Sequence, residues 1–166
     1  MTYDAAGEHH SPASLATGAI DKARAAGLPL AQVTLGLPFY GRHSASGDWT
    51  TWEDLVQRHH PLDPAADHVP AEGGARIAFN GPASIASKTA LAAREGLGGV
   101  MVWESGQDCR QEAVTRDGKT HGVTCPQGAR SSLLVAMRAA GAAALAGSGG
   151  GSGAGAAAPE EAAGDL

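Results

Sequence analysis

Residues 33 to 38 read Val33-Thr34-Leu35-Gly36-Leu37-Pro38, a run that is apolar on both faces of an extended chain. Such a run is typical of a strand in a parallel sheet, because helices cover both faces of that kind of sheet. Pro38 has no amide hydrogen for the strand ladder and therefore marks the end of a strand over residues 33 to 37. A second apolar run, Val100-Met101-Val102-Trp103, predicts another buried strand over residues 99 to 103.

Amphipathic patterns precede and follow these strands. They predict helices over about residues 12 to 26, 82 to 95 and 131 to 140, with Ser11 as a cap before the first and Gly27 at its end. Strands that alternate with helices indicate an α/β fold with a parallel sheet and right-handed crossovers. The pattern by itself is compatible with part of an eight-stranded barrel and with an open doubly wound sheet.

Two stretches lack this periodicity. Residues 43 to 80 are rich in His, Pro, Asp and Gly, with Trp49 and Trp52 as their large apolar side chains, which predicts either an insertion with little regular structure or a small accessory lobe. Residues 141 to 166 are rich in Gly, Ala and Ser and predict a disordered tail. The expected folded domain is therefore residues 1 to 140.

Composition excludes several classes of protein. The chain has 166 residues and a formal net charge of -5, and its 12 Lys and Arg form no basic stripe, so nucleic acid is not expected as a partner. No apolar stretch is long enough to span a membrane, and the first residues lack the features of a signal peptide. No metal site or cofactor is expected, because no Cys and His cluster has the spacing of metal ligands.

The chain has two cysteines, Cys109 and Cys125, which both follow the second apolar run. A disulfide between them would stabilise the intervening loop by about 3 kcal/mol in the chain-entropy model, in an oxidising compartment. Two unrelated thiols are the alternative.

Three segments follow one another with helical spacers between them: Met1-Thr2-Tyr3-Asp4, then Leu35-Gly36-Leu37-Pro38-Phe39-Tyr40-Gly41-Arg42, and then Gly98-Gly99-Val100-Met101-Val102-Trp103-Glu104. In this order they resemble the ends of strands six, seven and eight in glycoside hydrolase family 18 (GH18), the chitinases and chitinase-like proteins. The lead-in from Gly81 to Lys88 resembles the family's helix before its last strand. The resemblance implies an α/β fold that is the C-terminal fragment, strands six to eight, of a TIM (β/α)8 barrel.

The resemblance also implies a substrate-binding site at the carboxyl ends of the strands, where barrels carry their active sites. By this resemblance Tyr3 contacts the N-acetyl group of the sugar, Asp4 hydrogen-bonds the sugar and its neighbours, and Trp103 forms an apolar floor under the ring. Tyr40 and Arg42 match positions that line the cleft. The alternatives are a core role for Trp103, a solvated loop cation for Arg42, and no role for the Tyr3-Asp4 pair.

The implied function is that of a chitinase-type glycoside hydrolase, which cleaves β-1,4-linked N-acetylglucosamine polymers such as chitin by substrate-assisted, retaining hydrolysis. The family's acid is a Glu that ends an Asp-x-x-Asp-x-Asp-x-Glu motif on strand four, and this sequence contains no such motif. Glu104 follows the floor Trp and is not that acid, so no catalytic residue is assigned and the chain alone is expected to be inactive. A secreted parent protein is expected from the resemblance.

Two other functions are compatible with the sequence. One is a non-catalytic, chitinase-like carbohydrate-binding protein that keeps Trp103 and Tyr3 without turnover. The other is a different enzyme on an unrelated open α/β sheet, for which the three segments would be a coincidence. The sequence does not indicate an oligomeric state.

Overall fold

A computed structural model describes residues 1 to 148. In chain order its helices and strands are α1 (Ala13–Ala25), β1 (Thr34–Pro38), β2 (Tyr40–His43), β3 (Trp49–Thr51), α2 (Trp52–Arg58), β4 (His68–Pro70), β5 (Arg76–Ala78), α3 (Pro82–Arg94), β6 (Gly99–Trp103), β7 (Val114–Arg116), β8 (Lys119–His121) and α4 (Leu133–Ser148). Short 3-10 turns lie at Leu30–Gln32, Glu72–Gly74, Ser105–Gln107 and Gly128–Ser131.

The two predicted strands form a parallel pair. β1 and β6 run side by side, with Leu35 opposite Val100 and Pro38 opposite Trp103, and the Phe39 amide extends the pairing by donating to the Trp103 carbonyl at 2.8 Å. α3 packs against both strands, and α4 packs along α3. The predicted helix and strand positions are therefore confirmed to within one or two residues, except at α4.

β6 differs from its prediction in burial. β1 is buried from Leu35 to Pro38, whereas Gly99 to Val102 are only half-buried and Trp103 is 54% exposed. The reason is that, within residues 1 to 148, β6 pairs on one edge only, with β1. Apolar composition predicted the strand correctly, but it could not show how much of the strand its neighbours cover.

Residues 43 to 80 contain regular strands and a helix, and this segment is called the lobe below. β2, β3, β4 and β5 make a four-stranded antiparallel sheet in the order β3-β2-β5-β4, and α2 follows β3 directly. The lobe and the parallel pair share one core, in which Trp52 is 1% exposed and its ring lies edge-on to Phe79, with 5.4 Å between the ring centroids. The Trp52 indole also donates to the Ser131 carbonyl at 2.6 Å.

The cysteine loop is closed by a Cys109–Cys125 disulfide, which confirms the pairing over the alternative of two unrelated thiols. Asp108, next to it, is buried and caps α4, because its carboxylate accepts from the amides of Leu133 at 3.1 Å and Leu134 at 2.9 Å. The guanidinium of Arg110 binds both carboxylate oxygens of Glu53, at 2.8 and 2.7 Å, and so connects this loop to α2.

α4 is longer than the helix predicted over residues 131 to 140. The helix continues to Ser148 because residues 142 to 146 read Ala-Ala-Ala-Leu-Ala, and alanine has the highest intrinsic helix propensity. Gly141 faces α3, and a Cβ there would lie at an ordinary van der Waals distance of 3.9 Å from the Thr89 methyl group, so the packing does not require glycine. The rest of the predicted tail, residues 149 to 166, lies outside the described residues.

Residues 1 to 4 are close to β1 but are not a strand, although they resemble the end of a strand in sequence. The Thr2 hydroxyl, rather than a backbone amide, donates to the Gly36 carbonyl at 2.6 Å. Asp4 has φ 63°, which ends any extended pairing. None of the helices within residues 1 to 148 has the length and apolar character needed to cross a membrane.

Candidate functional site

A cleft of about 490 Å³ lies at the end of β6, beside the hairpin formed by β2 and β3. Its volume lies within the usual range for small-molecule sites. Its walls combine aromatic, charged and amide side chains. The lining residues are Asp4, Tyr40, Arg42, Gly47, Trp49, Trp103, Glu104 and Gln107.

Asp4 connects the polar side chains of the cleft. Its Oδ1 accepts a hydrogen bond from the Tyr40 hydroxyl at 2.7 Å and one from Nη1 of Arg42 at 3.2 Å. The positive φ of Asp4 costs some backbone energy and is found most often in Asn, Asp and Gly. Burial and the hydrogen bond to Asp4 both raise the pKa of Tyr40, so its hydroxyl keeps its proton as a donor.

Arg42 joins this group to the turn between β2 and β3. Its Nε and Nη2 donate to the Gly47 carbonyl at 3.2 and 3.1 Å, while Nη1 reaches Asp4. The turn itself is ordered by the amides of His43 and Gly47, which donate to the carbonyls of Asp48 and His43 at 2.8 Å each. Arg42 thus links Asp4 to the turn between β2 and β3 through hydrogen bonds.

Tyr3 lies beneath the cleft and not within its lining. It is 6% exposed, its ring meets the Tyr40 ring edge-on at 6.1 Å between centroids, and its hydroxyl lies 3.9 Å from the Met101 sulfur. Gly36 makes this position possible, because a Cβ at residue 36 would lie 2.7 Å from Cε1 of Tyr3. Burial first, and then the charge of Asp4, raise the pKa of Tyr3.

A buried polar network anchors the segment that carries Tyr3 and Asp4. The ammonium of Lys88, on α3, donates to the Ser11 carbonyl at 2.6 Å, to the Ser11 hydroxyl at 2.8 Å and to Asn80 Oδ1 at 2.6 Å. The Ser11 hydroxyl in turn donates to the Thr2 carbonyl at 2.8 Å. Desolvation lowers the pKa of Lys88 to about 8, against the opposing effect of Asp67.

His10 is buried directly behind Asp4. It is 3% exposed, its ring centroid lies 5.0 Å from that of Tyr40, and neither of its ring nitrogens has a hydrogen-bond partner. Its Nδ1 is 3.8 Å from Asp4 Oδ1. Burial first, and then electrostatic interaction with the neighbouring His9, lower the pKa of His10 to about 4. Asp4 opposes this shift, whereas Arg42 and Lys88 add to it.

These contacts predict that His10 makes the fold sensitive to acid. Because its pKa is lower in the folded protein than the unfolded value of about 6.5, the stabilisation is complete above pH 6.5 and is lost as the pH falls from 6.5 to 4. The loss should be at most about 3 kcal/mol in the free energy of unfolding, measured by urea titration at pH 7 and pH 4. His10→Phe keeps a buried ring without a titrating group and should flatten this dependence.

His121→Phe, at an exposed position on β8, is the matched control and should retain the wild-type pH dependence. Equal slopes of stability against pH in wild type and His10→Phe would contradict the assignment to His10.

The structure brings four of the five predicted site residues to one cleft: Asp4, Tyr40, Arg42 and Trp103. Trp103 is 54% exposed, so the core role considered for it is wrong. Arg42 makes three hydrogen bonds and is not a free loop cation. What any of the five does to a ligand stays a prediction.

Four lining residues were not predicted: Gly47, Trp49, Glu104 and Gln107. Glu104 had been considered only as an acid. In the sequence Trp49 is one of two large apolar side chains of the irregular stretch, and no local signal distinguishes it from the buried Trp52. Gln107 is 9% exposed and its Oε1 has no hydrogen-bond partner. Among residues 1 to 147 no three His, Cys, Asp or Glu side chains come together as metal ligands.

The chain is similar to solved GH18 chitinases. ChiB of Flavobacterium johnsoniae matches with a TM-score of 0.63 and 24% identity, over 84% of this chain and 40% of ChiB. The Ostrinia furnacalis Group II chitinase catalytic domain 2 matches with a TM-score of 0.62 and 15% identity, over 86% and 47% of the two chains. ChiA74 of Bacillus thuringiensis matches with a TM-score of 0.60 and 19% identity, over 86% and 31%.

The protein has a GH18 chitinase-like fold. The fold that the three segments implied is thus confirmed at the level of an α/β chitinase-like fold, and the chain spans less than half the length of each of these enzymes. No family model and no curated protein matches the sequence. Within this chitinase-like fold, the cleft residues come from the end of β6 and the residues after it, from the β2–β3 hairpin, and from the segment before α1.

Proposed function

We propose that this chain forms one wall of the sugar-binding cleft of a chitinase-type glycoside hydrolase, and that the ligand is a polymer of β-1,4-linked N-acetylglucosamine. The observation that carries the proposal is the cleft itself, in which an exposed Trp103 adjoins the hydrogen-bonded set of Asp4, Tyr40 and Arg42. An indole face suits the C–H face of a pyranose, and fixed polar groups can recognise hydroxyl and acetamide groups.

Two solved structures of one relative support the ligand class. A GH18 chitinase from Cycas revoluta, 18% identical with a TM-score of 0.52, is known in complex with allosamidin. A mutant of that enzyme is known in complex with (GlcNAc)4. In the proposal, β1 and β6 are the seventh and eighth strands of a TIM barrel, and Tyr3 and Asp4 follow the sixth.

The proposed chemistry divides between this chain and other groups. Substrate-assisted hydrolysis with retention needs an acid to protonate the leaving oxygen, and the sequence lacks the acidic motif that carries it in the family. Two carboxylates line the cleft, Asp4 and Glu104. Asp4 already accepts hydrogen bonds from Tyr40 and Arg42, and Glu104 does not match the family's acid. This chain therefore contributes binding and orientation, and by itself does not turn over substrate.

A second candidate is a non-catalytic, chitinase-like carbohydrate-binding protein. It is favoured by the same observation, since the cleft offers an aromatic floor and fixed polar groups without an assigned acid. The two candidates differ in any longer form of the protein: only the first gains hydrolytic activity from the additional residues.

The proposal is tested by calorimetric titration of the 166-residue chain with the tetramer of N-acetylglucosamine, with the β-1,4-linked glucose tetramer as the matched control. We expect weak binding of the acetylated tetramer, at least tenfold weaker binding of the glucose tetramer, and no hydrolysis of either. Equal affinity for the two tetramers would contradict recognition of the acetamide. Turnover that depends on a residue of this chain would contradict the absence of an acid.

A further inference from the structure

His10 is a buried residue whose imidazole makes no hydrogen bond. It is 3% exposed, and both of its ring nitrogens are shielded from solvent without a partner. Buried polar atoms are almost always hydrogen-bonded, because an unpaired one costs about 1 to 3 kcal/mol. A phenylalanine here could pack on the Tyr40 ring without that cost. Packing alone therefore does not explain a histidine, and what distinguishes the imidazole is its ability to take up a proton.

Asp4 is the carboxylate that faces His10. Its Oδ1 lies 3.8 Å from Nδ1 of His10, which is about 1 Å longer than a charge-assisted hydrogen bond. The same oxygen accepts from the Tyr40 hydroxyl at 2.7 Å and from Nη1 of Arg42 at 3.2 Å. One oxygen atom is therefore close both to a buried imidazole and to the two donors that hold it at the cleft.

A second cavity gives the Asp4 carboxylate room to move. It has a volume of about 330 Å³ and adjoins the cleft, because Asp4, Arg42 and Gly47 line both spaces. His10 lines the second cavity and not the cleft. The hydrogen-bonded bridge from Asp4 through Arg42 to Gly47 thus forms the boundary between the two spaces, with His10 behind it.

A proton on His10 would make Asp4 its partner. The charged and titratable groups that act on the ring come from three parts of the fold: Asp4 and His9 from the segment before α1, Arg42 from β2 and Lys88 from α3. Asp4 favours a proton on His10, and the other three groups oppose it. A buried imidazolium needs a counter-charge that accepts its hydrogen bond, and Asp4 is the member of this set that can do so.

We propose that His10 is a positioning residue for Asp4, and that a proton taken up by its imidazole moves Asp4 away from Tyr40 and Arg42 and weakens sugar binding. Arg42 then keeps its two hydrogen bonds to the Gly47 carbonyl, whereas the Tyr40 hydroxyl loses its acceptor. This inference rests on the proposed function and adds to it a dependence on pH and the residue responsible. Because burial lowers the pKa of His10 to about 4, the imidazole is neutral at pH 7 and the change occurs in acid.

The first test is calorimetric titration of the N-acetylglucosamine tetramer at pH 7 and pH 3.5 into wild type, His10→Phe and His121→Phe. If the protonated form does not bind, about a quarter of the protein is competent at pH 3.5, and wild-type affinity should be about fourfold weaker there than at pH 7. The ratio of the two affinities should fall to about one in His10→Phe. It should keep the wild-type value in His121→Phe, whose ring is exposed on β8.

The second test uses no sugar. An NMR titration of wild type follows the His10 ring and the Arg42 side chain over the same range of pH. The Arg42 signals should shift with the midpoint of His10, because Nη1 of Arg42 loses Asp4 when the imidazole gains it. In His10→Phe this shift should be absent. If that variant does not fold, the agreement of the two midpoints in wild type decides.

The outcomes separate the two levels of the argument. If wild type binds no sugar at pH 7, the proposed function is overturned, and the NMR titration still decides whether His10 acts on Asp4. A wild-type loss of affinity that persists in His10→Phe would refute the inference, since another group, such as Asp4 itself, would then be responsible. Arg42 signals that do not follow His10 would also refute it. So would a loss of the circular dichroism signal in parallel with binding, because acid would then act on the whole fold.

Discussion

Trp103→Ala should reduce the affinity for the N-acetylglucosamine tetramer by about 30-fold, which corresponds to the roughly 2 kcal/mol of a binding hot spot. Trp103 presents its ring to the cleft from the end of β6 and is 54% exposed, so truncation removes ligand contact area without opening a cavity in the core. The free energy of unfolding should therefore change by less than about 1 kcal/mol. Calorimetric titration and urea unfolding measure the two quantities.

Trp103→Phe is the matched variant, because it keeps an aromatic face and should lose only a part of the affinity. Trp52→Phe provides the opposite comparison. Trp52 is 1% exposed and donates to the Ser131 carbonyl, so this change should lower stability and not ligand selectivity. If Trp103→Ala unfolds the chain, or if a folded Trp103→Ala binds as wild type does, the site assignment is wrong.

Lys88→Ala should have the largest effect on stability, a loss of about 4 kcal/mol in the free energy of unfolding. The side chain is 4% exposed and donates three hydrogen bonds, so its removal leaves a cavity and deprives Asn80 Oδ1 of its donor. Ser11, which Lys88 also binds, holds the Thr2 carbonyl next to Tyr3 and Asp4. Sugar binding should therefore weaken as well. Urea unfolding at pH 7 provides the measurement.

Lys88→Met separates packing from hydrogen bonding. Methionine refills most of the volume but donates nothing, so the loss should be smaller than in Lys88→Ala and still more than about 1 kcal/mol. The pKa of Lys88 is lowered from 10.5 to about 8 in the folded protein, so between these two values the unfolded chain binds more protons than the folded one. The free energy of unfolding of wild type should therefore increase as the pH is raised from 8 to 10.5. Lys88→Met that matches wild type in stability at pH 7 would show that the network is dispensable.

Residues of the cleft show where sequence reasoning succeeded and where it failed. Trp103, Tyr40 and Arg42 were predicted from the resemblance of their segments to GH18 strand ends, and barrels carry their active sites at the carboxyl ends of their strands. Trp49 and Gln107 were missed because their approach to the cleft depends on the β2–β3 hairpin and on the 3-10 turn after β6. No local pattern in the sequence encodes those two placements.

The buried polar groups were missed for a similar reason. Lys88 lies in an amphipathic helix, where a lysine is usually exposed, and its burial follows only from the acceptors that Ser11 and Asn80 bring from distant parts of the chain. His10 lies next to another histidine in a polar segment, yet its ring packs on Tyr40. Burial of a polar side chain is a property of the neighbours that surround it, and it leaves no periodic signal.

The sequence by itself determined the elements whose cause is local. Residues 34 to 38 form a strand because they are apolar on both faces, and α1 and α3 follow from their apolar spacing and from prolines at their starts. Only the tertiary structure decided that residues 43 to 80 form a sheet, that β6 is half-buried, and that two indoles share a cleft. Those features depend on contacts between residues far apart in the chain, and such contacts are fixed by the packing of whole elements and not by neighbouring residues.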